Sequence, residues 1–248
     1  MIVLKSLKEI QRMKVSGKIV AEVLATVKES VKPGVTTLEL NAIAEREVAR
    51  RGAKPAFKGY SGYPFSLCCS PNNQVVHGWP VNEELRDGDI LSLDFGVYYD
   101  GFYGDAAVTV PVGKVSDRAL NLIKVTRESL NCAISCALTT NRLSDISHSV
   151  QEYVESAGFS VVRDFVGHGI GRRLHENPQV PNYGIPGKGA KLKAGMVLAI
   201  EPMVNEGSFD VKILEDGWTA VTVDGLLSAH FEHTVAITDN GPEILTLL

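Results

Sequence analysis

The chain has 248 residues, a net charge of −4 and 44% hydrophobic residues, which is ordinary for a globular domain with a full core. The acidic balance and the lack of a basic run argue against nucleic acid as a partner. No apolar run approaches the ~20 residues of a membrane span, so we expect no membrane partner either.

Four helices are predicted, two in each half of the chain. Capping boxes at Ser6–Glu9 and Thr36–Glu39 start the first two, and apolar residues near a 3.6-residue period follow. In the second pair, a serine followed by an aspartate marks the expected start of each helix. The expected helices begin after Ser6 and Thr36 and at Ser116 and Ser144; they end before Pro33, at Arg51, near Leu138 and at Gly158.

The segment 89–110 is predicted to form two strands joined at Asp100-Gly101, because a type I′ turn needs positive φ at both central residues. This register puts Asp94 opposite Ala107, with Asp105 diagonally across from Asp94 on the same face. Diagonal neighbours lie about 7–8 Å apart, so the two carboxylates can share one ion. Alternatively, this face is exposed and both aspartates are solvated.

The second half repeats the same pattern. Residues 194–201 align with 87–94, and residues 232–237 resemble 105–110. A repeat this long favours gene duplication and a pseudo-twofold fold, although short apolar strings can also coincide. We predict one catalytic domain, 1–248, of two related halves, about 1–112 and 113–248. Its axis would bring together four carboxylates: Asp94, Asp105, Glu201 and Glu232.

Converging carboxylates cannot all ionise without cations. His168, in the glycine-rich loop 166–171, is the candidate nitrogen ligand, unless it is a turn residue bonded to backbone. Five ligands, four of them acidic, suit two divalent ions, and such a site performs hydrolysis. The mixed oxygen and nitrogen set admits Co, Mn, Fe, Zn or Ni.

The other histidines divide into two groups. His77 and His175 are candidate hydrogen-bond donors to a substrate and its intermediate, or else structural imidazoles. We interpret His148, His230 and His233 as structural or solvated, with His233 pointing to the other sheet face.

Four cysteines are present: Cys68, Cys69, Cys132 and Cys136. Adjacent cysteines seldom bond to each other, and the second pair has no histidine nearby to complete a zinc site. We predict reduced thiols in a cytoplasmic protein. Residues 1–5 are also too short for the apolar core of a signal peptide.

These residues resemble the type I methionine aminopeptidases over essentially the whole chain. The resemblance rests on six strings that contain or flank the candidate ligands: Ser92–Gly96, Gly104–Ala106, Gly167–Gly171, His175–Pro178, Ile200–Pro202 and Phe231–Thr234. It implies the "pitta-bread" α/β (α+β) fold, a curved antiparallel sheet flanked by helices. It also implies a dinuclear site that removes the N-terminal methionine of nascent chains when the second residue is small.

The resemblance also implies the role of each ligand. Asp94 would chelate one ion and His168 the other, with Asp105 and Glu232 bridging them. Glu201 would bind the His168 ion and accept a proton from the attacking water.

The resemblance also implies which residues would contact the substrate. His77 would lie near the scissile amide, and His175 would contact its carbonyl oxygen. Residues expected to line a methionine pocket are Tyr60, Tyr63, Cys68, Met203 and Trp218, although isolated aromatic residues are as often ordinary core. Asn72 and Ser228 match a monovalent-cation site.

Three positions depart from many bacterial members: Phe57, Ser61 and Leu174 stand where those have Cys, His and Phe. No zinc-binding extension and no large insertion is found, which favours a bacterial-type, stand-alone enzyme. Nothing in the sequence suggests an obligate partner, so we expect a monomer, and the resemblance implies transient ribosome association. The rival hypotheses are a Xaa-Pro aminopeptidase or prolidase, a non-catalytic module of this fold, and a phosphohydrolase. The chain has no glycine-rich phosphate-binding loop, which argues against a phosphohydrolase.

Overall fold

A computed structural model describes residues 1–248. The helices are α1 (Leu7–Glu29), α2 (Thr37–Arg50), α3 (Asp117–Ser135) and α4 (Leu143–Ser156), with a 3₁₀ turn at Tyr60–Gly62. The strands are β1 (Lys54–Pro55), β2 (Cys68–Pro71), β3 (Gln74–Val76), β4 (Ile90–Tyr99), β5 (Phe102–Pro111), β6 (Ser160–Val161), β7 (Gly167–Gly169), β8 (Glu176–Val180), β9 (Val197–Ile200), β10 (Met203–Asn205), β11 (Val211–Ile213), β12 (Ala220–Thr222), β13 (Ser228–His230), β14 (Glu232–Thr238) and β15 (Gly241–Ile244).

One antiparallel sheet organises the fold. Its strands follow the order β1–β4–β5–β14–β9–β7–β8, with β2 beside β4 and β15 beside β14. The order is symmetric about the β5–β14 pair, since β4 and β9 occupy equivalent places on either side. Two three-stranded sheets, β13–β10–β6 and β11–β12–β3, complete the fold. The gene duplication itself stays a prediction.

The predicted hairpin is confirmed. Tyr99 pairs with Phe102 and Asp94 with Ala107 across β4 and β5. Asp100 and Gly101 have φ values of 46° and 84°, both left-handed as a two-residue type I′ turn requires. Turn chemistry therefore fixes the register that places Asp94 near Asp105.

The helix starts follow the capping signals in three cases out of four. Ser6 Oγ accepts from Glu9 N at 3.3 Å, and the same arrangement at Thr36 caps α2. The predicted start of α4 at Ser144 was wrong, because Asp145 accepts from Arg142 N at 2.7 Å and begins the helix at Leu143. The Ser144 hydroxyl instead donates to the Lys188 carbonyl.

Three helices also end earlier than predicted. The last residues of α1, α3 and α4 are Glu29, Ser135 and Ser156. In each case the next residue donates its backbone N–H to carbonyls three residues back, which closes the final turn.

Two hydrophobic cores hold the helices on one face of the sheet. Helices α1 and α2 pack on β4 and β5, where Leu93 and Phe95 are fully buried. Helices α3 and α4 pack on β9 and β14, around Leu198 and Val235. Because strand residues alternate between faces, Asp94, between Leu93 and Phe95, projects from the opposite face.

Two sequence predictions are tested directly by the fold. None of the four helices combines the length and the apolar character that a bilayer-crossing segment needs. All four cysteines are free thiols, as predicted.

Replacing Phe95 by Ala should lower the free energy of unfolding by about 3–5 kcal/mol, because the ring leaves a cavity in a fully buried site. Urea denaturation should show a lower midpoint at an unchanged slope. The control is Leu7→Ala, at a position that is 77% exposed. Equal midpoints for the two variants would contradict this description of the core.

Candidate metal centre and substrate cleft

Strand pairing places candidate ligands in a row across the sheet. Cys68 pairs with Asp94, Asp94 with Ala107, and Ala107 with Glu232, across β2, β4, β5 and β14. The small side chain of Ala107 leaves open the space between the two carboxylates. Asp105, two residues before Ala107, shares this face, so the β5–β14 pair brings acids from both halves together.

The remaining two candidates come from the second half of the sheet. His168 on β7 pairs with Ala199 on β9, and Glu201 lies two residues after Ala199 on the same face. His168 Nε2 is 3.6 Å from Glu201 Oε1. Ligand atoms of Asp105, His168 and Glu232 all lie within 4.8 Å of one another. All five candidates line one cavity.

The burial of these acids is what makes a cation necessary. Asp105 and Glu232 are 4% and 2% exposed, and one buried oxygen each of Asp94, Asp105 and Glu232 has no hydrogen-bond partner. Burial raises the pKa of Asp94 to about 7 and that of Glu201 to about 8. Burial, and to a lesser extent repulsion from the neighbouring carboxylates, raises the pKa values of Asp105 and Glu232 well above the ordinary range. Unpartnered buried oxygens fit hard divalent ions.

The tautomer of His168 suits a metal ligand. Its Nδ1 lies 2.9 Å from the Gly169 carbonyl, which only accepts, so Nδ1 carries the proton. Burial lowers the pKa of His168 to about 3, which leaves the ring neutral and the Nε2 lone pair free. The sequence allowed His168 to be either a metal ligand or a turn residue bonded to backbone. In the structure its hydrogen bond to the Gly169 carbonyl orients the ring toward the carboxylates, so the two roles are compatible.

Two more histidines face the cleft. His77 has a left-handed φ of 60°, which turns its ring out of β3, and it packs edge-on against Phe165 and Trp218. His175 is exposed at the rim, with Nδ1 2.7 Å from the Tyr60 hydroxyl. Burial lowers the pKa of His77 to about 4 and also lowers that of His175, so both are neutral near pH 7.

The same cavity continues into an apolar space, and its total volume is about 170 Å³. Four of the five predicted pocket residues line it: Tyr60, Tyr63, Cys68 and Trp218. The three positions noted in the sequence as departures from many bacterial members also line it: Phe57, Ser61 and Leu174. Burial raises the pKa of the Cys68 thiol, so it remains an uncharged wall. Tyr63 is fixed by donating its hydroxyl hydrogen to the Gly78 carbonyl.

Met203 does not line this cavity, contrary to the expectation. It is fully buried in a small cluster with Val76, Val162 and Ala220. Packing against residues from other strands buries Met203, and sequence alone does not show which residues meet there.

His230 lies beside the candidate ligand Glu201, a contact that was not predicted from the sequence. It is 1% exposed, so it is not solvated, and its unpartnered Nε2 lies 3.7 Å from Glu201 Oε2. Its position two residues before Glu232 was a usable signal, because alternate residues share a face. His233 contacts Thr246 behind the sheet, as predicted, and His148 lies on α4 away from the cleft.

Asn72 and Ser228, the predicted monovalent-cation pair, are neighbours. Ser228 N donates to the Asn72 carbonyl at 2.9 Å. The Asn72 side chain already bonds Asp89 and Ile90 at the start of β4. The ion site stays a prediction.

The sequence and the fold have counterparts among known proteins. The sequence matches metallopeptidase family M24 over residues 11–239, and the chain belongs to that family. The chain is 60% identical to the methionine aminopeptidase of Clostridium perfringens over 248 residues, covering 100% of both. It is 53% identical to methionine aminopeptidase 1 of Bacillus subtilis, over 99% of each.

Solved structures confirm the fold. The crystal structure of methionine aminopeptidase from Thermotoga maritima matches with a TM-score of 0.98, 53% identity and complete coverage of both chains. Prolidase from Pyrococcus furiosus matches with a TM-score of 0.81 at 22% identity, over 99% of this chain and 66% of that one. That second likeness shows the fold alone. The predicted pitta-bread fold, a curved antiparallel sheet flanked by helices, is correct.

Metal-free protein should become less stable as the pH rises from about 6.5 to about 8. In this range Asp94 and Glu201 hold protons in the fold, with pKa values of about 7 and about 8, whereas the unfolded chain has already released them. Each such carboxyl lowers the free energy of unfolding by up to about 1.4 kcal/mol per pH unit. The buried histidines act in the opposite direction, because an unfolded histidine is still about half protonated at about pH 6.5. The four carboxyls with raised pKa values, Asp105 and Glu232 included, release more protons and decide the sign.

Urea midpoints measured with a chelator at about pH 6.5 and about pH 8 test this expectation. Added divalent ions should reduce the difference, because they bind the ionised carboxylates of the folded state. Equal midpoints at the two pH values without metal would contradict it.

Proposed function

We infer that this protein is a metal-dependent aminopeptidase that removes the N-terminal methionine from proteins and peptides whose second residue is small. The observation that carries this function is one cavity that joins five candidate ligands to an apolar pocket of aromatic and sulfur side chains. The full-length similarity to methionine aminopeptidases supports it.

We assign the five ligands to two divalent ions. Asp94 would hold one ion and His168 the other, and Asp105 and Glu232, which lie on the paired strands β5 and β14, would be shared by both. Glu201 completes the site beside His168. Such ions, when bound, supply Lewis-acid activation of water and of the scissile carbonyl.

Glu201 is the proposed proton acceptor. It lies at the end of β9, with its oxygens between the rings of His168 and His230. Burial raises the pKa of the Glu201 carboxyl, which makes its ionised form a stronger base, so it would receive a proton from the attacking water and pass it to the leaving amine.

His77 and His175 are proposed to act as neutral hydrogen-bonding groups. With the Tyr60 hydroxyl donating to Nδ1, His175 carries its proton on Nε2 and donates it to the carbonyl oxygen as negative charge develops there. His77, fixed between Phe165 and Trp218, would contact the scissile amide.

The apolar pocket is proposed to hold the methionine side chain. Edge-on packing of Tyr63 against Trp218, with ring centroids 5.2 Å apart, makes its wall rigid. A flexible thioether fills such an irregular space well. A bulky second residue would collide with the rim at His175, which explains the preference for a small one.

The prolidase alternative is disfavoured. The solved prolidase is only 22% identical to this chain, whereas the methionine aminopeptidase of Clostridium perfringens is 60% identical over its full length. A cytoplasmic location, nascent chains as substrates, ribosome association and a monomeric state stay predictions.

Replacing His168 or Glu201 by Ala should reduce methionine release at least about 100-fold, since each removes a ligand or the proton acceptor. Circular dichroism should show the fold retained. The matched control, His148→Ala, lies outside the cleft and should keep wild-type turnover. Normal turnover by either site variant would refute its assigned role.

Substrate choice separates the function from its rivals. Chelator-treated protein reloaded with individual divalent ions should release methionine from Met-Ala-Ser and leave Ala-Pro peptides intact. Met-Leu-Ser should react at least about 10-fold more slowly, because its second side chain meets the rim. Preference for Ala-Pro peptides would favour the prolidase alternative, and activity without metal would exclude the proposed mechanism.

A further inference from the structure

A second cavity adjoins the methionine pocket. It has a volume of about 750 Å³ and shares two lining residues, His168 and His175, with the active-site cavity. Its other lining residues include Val166, Arg173 and Gln179. Gln179 pairs directly with His168 across β7 and β8, so its side chain lies on the face of the sheet that carries the ligands.

The direction of the substrate follows from the two cavities. The methionine side chain occupies the apolar pocket around Tyr63 and Trp218, so the rest of the peptide must leave on the other side of the scissile bond. His175, the exposed residue at the rim, belongs to both cavities. An extended chain advances about 3.3 Å per residue, so residues from the third onward reach the second cavity.

Two cations of this groove have no ion-pair partner, the α-ammonium of Met1 and the guanidinium of Arg173. Arg172 is engaged by Glu9 at 3.0 Å, and Glu176 by Lys5 at 2.7 Å. The guanidinium of Arg173 is exposed, lines the groove and forms no ion pair. The groove therefore has a net positive charge, and Arg173 supplies its unpaired side chain.

We propose that this groove binds the substrate polypeptide downstream of its second residue, and that Arg173 selects acidic side chains there. The proposal rests on the aminopeptidase function above and adds a specificity that acts through charge rather than through size. An exposed ion pair of this kind changes kcat/KM about twofold to fivefold, and salt screens it.

The test compares two peptides on the same metal-loaded preparation: Met-Ala-Ser-Glu-Glu and Met-Ala-Ser-Lys-Lys. Wild-type protein should prefer the acidic peptide about twofold to fivefold at low salt. Arg173→Glu should reverse the preference. Arg127→Glu, a charge reversal at an exposed position on α3, should keep it. The ratio of two substrates does not depend on the fraction of folded protein.

An unchanged ratio in Arg173→Glu would overturn the groove proposal, as would a ratio near one in the wild type. Release of methionine from Met-Ala-Ser is measured in parallel. If that release occurs without any charge preference, the groove proposal alone fails. If no peptide loses methionine, the aminopeptidase function fails, and the groove proposal fails with it.

Discussion

The repulsion between buried carboxylates is the constraint on which this structure depends. The β5–β14 pair places Asp105 and Glu232 side by side, and β4 and β9 bring Asp94 and Glu201 to the same point. An unpaired buried carboxylate costs several kcal/mol, so the arrangement is stable only with protons or cations between the acids. The same requirement explains the raised pKa values and the unpartnered oxygens.

The sheet can accommodate the buried carboxylates because its two faces contribute differently to the structure. One face packs against four helices and supplies the hydrophobic stability, with Phe95 fully buried. The other face carries the ligands. Glycine permits close approach where the sheet meets α1, because a Cβ at Gly104 would lie 2.9 Å from Gly17 N. The rigid layer of helices holds the acids in place against their repulsion.

The cleft combines two kinds of recognition around one reacting centre. A small apolar pocket selects by shape, because its aromatic walls are fixed by packing and by hydrogen bonds such as that of Tyr63. An open groove beyond His175 is polar and carries the free charge of Arg173. His77 and His175 lie between them, and burial lowers the pKa of each, as the proposed role of neutral hydrogen-bonding groups requires.

The sequence by itself determined the hairpin register, two capping boxes and the five candidate ligands, because turn chemistry, capping and alternation are local signals. The tertiary structure alone decided which distant side chains meet. It placed His230 against Glu201, turned Met203 into the core, and left the guanidinium of Arg173 without an ion pair. These outcomes depend on strands far apart in the chain coming together, and no local pattern records which partner a side chain finds there.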